Sequence, residues 1–421
     1  MARFIHQSNC RLCHGTNVEL VVKLDPVPLA EKYTTDRHTP DENGVFPTDL
    51  YLCRDCGHVQ ILDIIDSDKL WDDYTYHSAQ TRGIVEHFET VADQVVHQRQ
   101  PKPGSLVIDV GSNDGSLLRP FKTRGYRVLG IDPATEIARK ATASGIETIP
   151  ALMTPALAQQ ITAKHGHASV VTAFNVFAHA ADMRGMAQSI HDMLAPDGIF
   201  VFEVQYLLDI LDKMLLGTIF HEHMSHHSVK PMKLFLERHG MELIDVERVN
   251  IQKGSLIGTA QRKGGPRPVQ PSVQALLNLE QERKLDRPET IRQFGSRLAE
   301  MKKTMGGLIA EWKRRGATVA GYGAARSGPT FIVQFGLGDV IEYLLDDHPQ
   351  KVGKFSPLNR FPVLPTKELL IRQPDYVVIL AWNHARKIIA DNQAYLAQGG
   401  HFVVCCPNIQ VIGAGDTAPV L

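Results

Sequence analysis

Short apolar runs recur along the 421-residue chain, and the residues flanking each run decide the element it predicts. Positions 105–110, Ser-Leu-Val-Ile-Asp-Val, have the pattern of a strand buried on both faces. They lead into Gly111-Ser112-Asn113-Asp114-Gly115-Ser116 and then Leu117-Leu118, which reads as a strand, a Gly-rich turn and a helix start. Positions 126–131 predict the next strand, ending in Asp132. Another is predicted at 168–174, ending in Asn175-Val176-Phe177-Ala178-His179, and 194–203 reads as a loop feeding a strand. The rhythm restarts at Gly316, where an apolar strand enters the turn Gly321-Tyr322-Gly323-Ala324. Further strands are expected at 341–346, 376–381 and 401–405, with helical stretches between them. Both halves are β-α-β, so the fold class is α/β with two Rossmann-like units. The stretch 273–315 reads as a helical connection whose charged positions Glu280, Glu282, Arg283 and Lys284 are expected in solvent.

Upstream of the linker-like 98–104 the pattern changes. Pro26, Pro28, Pro40, Asn43 and Gly44 make 14–52 turn-rich, and it reads as an inserted loop between two Cys-x-x-Cys pairs, Cys10/Cys13 and Cys53/Cys56. Each two-residue gap lets a tight knuckle aim both thiolates at one ion, and two knuckles complete a tetrahedral shell of four cysteines for zinc, with a redox dithiol as the alternative. With all four positions taken by thiolates there is no open coordination position, so the metal is expected to be structural. Cys405 and Cys406, in an apolar run, read as buried strand thiols.

Length implies two or three domains. The 43% hydrophobic and 22% charged residues are those of an ordinary globular chain and exclude a disordered one. The 45 Lys+Arg against 46 Asp+Glu leave no basic field for nucleic acid or anionic lipid, so neither is expected as a partner. No stretch approaches the ~20 apolar residues of a membrane span, and Met1 to His6 lack a signal-peptide run, so the expected location is the cytoplasm.

Three places carry candidate chemistry. At the first Gly-rich turn a ligand can approach the backbone of Gly111, Asn113 and Gly115, and Asp132 can accept both hydroxyls of a ribose. Positions 221–227 hold four histidines and a glutamate: His221, Glu222, His223, His226 and His227. They could hold a second metal through His223 and His227 at i, i+4 spacing, supply a general base, or simply satisfy buried partners. At the second Gly-rich turn, Arg326 beside backbone N–H groups would suit a diphosphate, with turn packing as the plain alternative.

The turn Asp109-x-Gly111-x-x-x-Gly115 with the acid Asp132 and the post-strand Asn175 resembles the class I methyltransferases that use S-adenosylmethionine (SAM). Taken with the two Cys-x-x-Cys pairs, the His221-Glu222-His223 motif and Gly321-Tyr322-Gly323-Ala324, the chain from Cys10 to about Pro407 resembles the three-domain sugar C-methyltransferases. That family includes the tetronitrose-pathway C-3 enzymes acting on thymidine-diphosphate-linked 4-keto deoxysugars. The resemblance implies a zinc-binding module (1–75), a SAM-dependent methyltransferase domain (76–272), a helical connection (273–315) and a C-terminal Rossmann-like domain (316–421). It implies that Asp109, Gly111, Asn113, Gly115, Asp132 and Asn175 hold SAM. It implies His223 as the base that removes a proton alpha to a ketone, with Glu222 and His221 beside it and Tyr76, or its neighbour Tyr74, near the reacting carbon. The enolate oxygen then falls to Tyr76 or His221. The nucleoside-diphosphate sugar is expected between the central and C-terminal domains, near Phe220, Tyr322, Gly323 and Arg326. Three departures stand out: Phe220 where the motif carries Tyr, Ala325-Arg326-Ser327 where relatives often carry Lys, and no His in Asn250 to Leu256. O- or N-methyl transfer, and a zinc- and nucleotide-binding module without transfer, remain the alternatives. The sugar, its base and the oligomeric state are not legible, a monomer being compatible with everything above.

Overall fold

The computed structural model describes residues 4–39, 44–66, 78–80 and 83–416. Seven short strands form the N-terminal part: β1 (Phe4–His6), β2 (Val18–Val22), β3 (Val27–Pro28), β4 (Val45–Phe46), β5 (Leu50–Cys53), β6 (Val59–Gln60) and β7 (Asp63–Ile65). The segment between the Cys pairs is therefore not the plain loop its turn residues predict. Val18 to Val22 is a β-branched apolar run that pairs antiparallel with β5, burying Val21 and Val22 and bringing the two knuckles together.

The central unit runs α1 (Ile84–Gln94), β8 (Leu106–Val110), α2 (Leu118–Thr123), β9 (Arg127–Ile131), α3 (Thr135–Ala143), β10 (Thr148–Ile149), α4 (Pro155–His165), β11 (Ala168–Phe174), α5 (Met183–Met193) and β12 (Leu194–Gln205). It continues through α6 (Leu207–Asp212), β13 (Ser225–His226), α7 (Val229–Arg238), β14 (Met241–Val249) and β15 (Ser255–Arg262). Its sheet order is β10-β9-β8-β11-β12-β15-β14, with β10 to β12 parallel and β15 antiparallel to both neighbours. This order and the reversed β15 are the class I methyltransferase fold. The chain first builds outward from β8 and then returns to its other side, so the crevice for a ligand opens at the ends of β8 and β11. Strand β13 leaves this unit and joins the N-terminal sheet, whose order is β13-β6-β5-β2.

Two helices follow, α8 (Pro271–Glu282) and α9 (Pro288–Arg315). The second buries Ile291, Phe294, Leu298, Met301, Met305 and Trp312, a stripe at helical spacing, and Gly316 in the left-handed region (φ 64) ends it. Glu280 corrects the expectation of a solvated face: it is buried, and its two oxygens accept the backbone N–H groups of Val229 and Lys230 at 2.6 and 3.0 Å. A carboxylate there stabilises the N-terminus of α7 through the helix dipole.

The C-terminal sheet is built from β16 (Val319–Tyr322), β17 (Ile341–Leu345), β18 (Val363–Leu364), β19 (Tyr376–Ile379), β20 (His401–Val404) and β21 (Gln410–Ile412), in the order β18-β17-β16-β19-β20-β21. Helix α10 (Gly328–Gln334) follows the second Gly-rich turn. Strand β17 stops one residue before its predicted end, because Asp346 turns to accept the Ala324 N–H at 2.6 Å. Cys405 and Cys406 are fully buried, as their run predicts, but they follow the end of β20 at Val404 and are not strand residues. Among the described residues no helix is long and apolar enough to cross a membrane.

Candidate active site and metal centre

The sulfurs of Cys10, Cys13, Cys53 and Cys56 lie within 4.8 Å of one another. The His14 N–H donates to the Cys10 carbonyl at 2.9 Å and the Gly57 N–H to the Cys53 carbonyl at 2.8 Å, so both Cys-x-x-Cys segments are tight knuckles. Hydrogen bonds from Cys53 and Cys56 pull the Cys10 thiol down to about 4, while Cys56, competing for the same proton, is pushed up. A zinc ion held by all four as thiolates would end that competition, and the donor set fits a structural zinc. Cys53→Ala is expected to lose the metal and with it stabilisation on the order of 10 kcal/mol within this module. Atomic absorption and limited proteolysis of 14–52 check this; a metal-free protein that resists cleavage there would contradict it.

At the central crevice, the Gly111 and Ser112 N–H groups donate to the Ile131 carbonyl at 2.7 and 3.1 Å, wrapping the turn over the end of β9. Gly111 has φ 74, and a Cβ there would lie 2.4 Å from the Val176 side chain, so only glycine lets the turn approach the loop after β11. Asp132 accepts the Asn113 N–H through Oδ2 and the Ala134 N–H through Oδ1, each at 2.9 Å. Each oxygen keeps a lone pair for a ribose hydroxyl. Asp109 accepts the Thr172 hydroxyl at 2.7 Å, and burial raises its carboxyl to about 7. Gly115, at φ 77, packs against Ile146. Asn175 donates to Glu203 at 3.2 Å through its side chain and at 2.9 Å to the Glu203 carbonyl through its backbone. Glu203 is fully buried and also meets His87 of α1. A crevice of backbone N–H groups, two acids and a close glycine fits SAM.

The histidine-rich segment is a turn followed by strand β13, so the helical premise for a second metal at His223 and His227 fails. His227 lies 5.5 Å from His58 ring to ring, whereas His223 lies 4.9 Å from His179 and 4.1 Å from Phe220. Among the described residues the four cysteines are the only cluster with ligand atoms close enough for a metal. His223 Nδ1 is 2.7 Å from the Thr218 carbonyl, an acceptor only, so Nδ1 carries the proton and Nε2 the lone pair. Burial pushes the His223 imidazole down to about 4. His221 is directed to the N-terminal module, with Nε2 3.2 Å from the Phe46 carbonyl.

Glu222 is buried and meets Arg326 of the second Gly-rich turn; burial raises its carboxyl and the guanidinium opposes that rise. Arg326 Nε lies 3.6 Å from Glu31, and Lys351 Nζ lies 3.0 Å from the same carboxylate. Glu222, Arg326, Glu31 and Lys351 thus form a charged network drawn from all three parts of the chain, with Lys32 also acting on Glu222. Gly323, at φ 101, packs its backbone against Ala381 and, with Tyr33, Ala325 and Asn359, lines a cleft beside this network. Tyr322 faces the other way: it packs with the outer cluster of Leu369 and Ile388, with Asn392 and Thr366 near its hydroxyl.

The structure therefore brings His223, Glu222, Phe220 and Arg326 together, with Gly323 beside them, and places Tyr322 apart. Tyr76 and Tyr74 lie outside the described residues. Glu31, Lys351, Glu203 and His87 escaped sequence reasoning, because a lone charge carries no local mark of a distant partner. His179 was legible as a residue at the end of a strand, but not as a neighbour of His223.

Three family models match in chain order. They are described as a zinc binding domain (residues 10–71), a methyltransferase domain (85–246) and a C-methyltransferase C-terminal domain (250–407). The chain is 33% identical over 413 residues to the C-methyltransferase NovU of Streptomyces niveus, covering 97% of each. It is 30% identical over 102 residues to a ubiquinone biosynthesis O-methyltransferase of Methylobacterium sp. (strain 4-46), covering 24% of this chain and 41% of that one. Among solved structures, the SAM-bound magnesium protoporphyrin IX methyltransferase of Synechocystis PCC 6803 overlaps 47% of this chain and 89% of its own, at 18% identity and a TM-score of 0.33. With full-length similarity to NovU and all three modules in order, the chain belongs to the SAM-dependent C-methyltransferases that carry an N-terminal zinc-binding domain.

Proposed function

We propose that the protein methylates the carbon alpha to the ketone of a nucleoside-diphosphate-linked 4-keto deoxysugar, in the cytoplasm and without a nucleic-acid or membrane partner. The observation that carries this reading is His223: a neutral imidazole with its proton held on Thr218 and its Nε2 lone pair available, at a junction of the SAM domain and the C-terminal turn. A sugar C–H is too weak an acid for any imidazole unless a ketone stands beside it, so carbon methylation here calls for a keto sugar. Bound SAM supplies an electrophilic methyl group and a neutral thioether leaving group.

His223 Nε2 takes the alpha proton, and the C–H electron pair becomes the enolate. The Phe220 ring, 4.1 Å from the imidazole, packs an apolar face on it and favours its neutral form, which keeps the base unprotonated near neutral pH while making it a weaker proton acceptor. His221 is a poor donor to the enolate oxygen: its Nε2 proton is held by the Phe46 carbonyl, which leaves only a lone pair on Nδ1. That role is left to Tyr76, whose assignment rests on the sequence resemblance. Arg326 and Lys351, paired with Glu222 and Glu31, stand near the small, mostly apolar cleft at Gly323, and a diphosphate reaching them would have to displace those carboxylates.

Incubation with SAM and a panel of nucleoside-diphosphate 4-keto sugars is expected to add one methyl to a member of the panel by mass spectrometry. In D2O without SAM the same sugar should take up deuterium at its alpha carbon. If only reduced or amino sugars gain the methyl, and no deuterium enters, the enolate mechanism is wrong and His223 serves O- or N-transfer.

A further inference from the structure

The zinc-binding module does more than hold its own fold, because the strand that follows His223 belongs to its sheet. Ser225 and His226 pair antiparallel with Gln60 and Val59, and His58 Nε2 lies 3.2 Å from the Ser225 hydroxyl. At the other end His227 bridges to Tyr206, its carbonyl accepting the Leu207 N–H at 2.8 Å, at the end of β12. The segment after the candidate base is thus strung between the zinc-bearing sheet and the SAM-binding sheet.

One side chain connects the metal knuckle to that segment. Arg11 stands between Cys10 and Cys13 and is 4% exposed, although an arginine is rarely buried without partners. Its Nη1 donates to the Met224 carbonyl at 2.9 Å and its Nη2 to the Ile61 carbonyl at 3.1 Å, while its backbone N–H donates to Gln60 Oε1 at 3.0 Å. The Met224 carbonyl also accepts the Ile61 N–H at 2.9 Å. Met224 is the residue directly after His223, so both groups hold the peptide between Met224 and Ser225, one residue beyond the Cα that carries the His223 imidazole.

We propose that Arg11 is a positioning residue: its guanidinium fork fixes the 223–227 segment to the first zinc knuckle and so sets where the His223 imidazole stands. Cys10 and Cys13 would hold a zinc ion on either side of Arg11, so a bound metal would fix the knuckle from which the fork projects. The consequence for turnover rests on the reading of His223 as base; the consequence for the segment's opening does not.

The test uses the full-length zinc-loaded protein with Arg11→Met and Arg11→Lys, the second keeping a buried cation without the planar fork. Four quantities are read: zinc content, SAM affinity by calorimetry, amide hydrogen exchange of 221–227, and kcat and KM with thymidine-diphosphate-4-keto-6-deoxyglucose. For Arg11→Met we expect full zinc content and unchanged SAM affinity. Exchange across 224–227 should be about tenfold faster, and kcat about 10- to 100-fold lower with little change in KM. Arg11→Lys should fall between this variant and the parent, and it decides the matter if Arg11→Met does not fold. Unchanged exchange in a folded variant overturns the proposal, as does a kcat loss that merely tracks zinc loss. Faster exchange with unaltered kcat keeps the clamp on 224–227 but overturns its bearing on turnover, and His223→Asn then tests the base itself.

Discussion

His223→Asn is expected to lower methyl transfer by about 10²- to 10⁴-fold, the usual contribution of a positioned general base, while SAM affinity stays within about twofold. Asparagine is close to imidazole in size and can still donate to the Thr218 carbonyl, so the turn that holds position 223 survives. What it lacks is the basic Nε2 lone pair. On the proposed reading SAM is held by Asp132 and the Gly111 turn, whereas the groups against residue 223 are Thr218, His179 and Phe220. Deuterium uptake at the alpha carbon should disappear together with turnover, and its persistence would assign proton removal to another group.

The pH dependence carries the same signature. With His223 pushed down to about 4 by burial, the imidazole is neutral throughout the range where an exposed histidine would titrate. The acid limb of kcat/KM should therefore lie near pH 4, where protonation removes the lone pair, and not near 6.5. Stability falls over the same window. Burial holds His221 down to about 4 and His226 to about 3, so below pH 6.5 the unfolded chain binds protons that the folded chain refuses, and acid favours unfolding until pH drops below those values. Initial rates after a brief pH jump separate the two effects, since unfolding is the slower process.

The second large effect is expected from Asp132→Ala, which should weaken SAM binding by about 10²- to 10⁴-fold. Two hydrogen bonds from ribose hydroxyls to a buried carboxylate, at roughly 1.5–3 kcal/mol each, account for that range. The substitution also leaves the Asn113 and Ala134 N–H groups without their acceptor, loosening the turn that SAM must meet. Asp132→Asn, which keeps one oxygen, should lose less. Calorimetric titration with SAM checks both, and unaltered affinity in a folded Asp132→Ala protein would remove the ribose from this carboxylate.

Sequence alone determined those features whose physics is local. Strands β8, β9, β11 and β16 are apolar runs closed by a turn, and no partner is needed to read them. The zinc ligands are legible because a two-residue gap is itself the knuckle geometry, and Asp132 because the end of a strand next to a Gly-rich turn faces the same crevice in any doubly wound sheet. The segment between the cysteine pairs is more than a loop because β2 becomes a strand through its pairing with β5, whatever the prolines downstream of it suggest. Glu280 was misread because a charge looks solvated until the helix end it caps is known.

Tertiary structure alone decided the site. Nothing near position 223 in the chain announces that Thr218 holds its proton or that His179 stands at its ring. The spacing of His223 and His227 invited a helix, whereas pairing with Val59 and Gln60 made their segment a turn and a strand. Glu31, Glu222, Arg326 and Lys351 meet only because three parts of the chain pack on one another. A contact between residues far apart in the chain depends on the closure of the whole fold, and a single sequence carries no local trace of it.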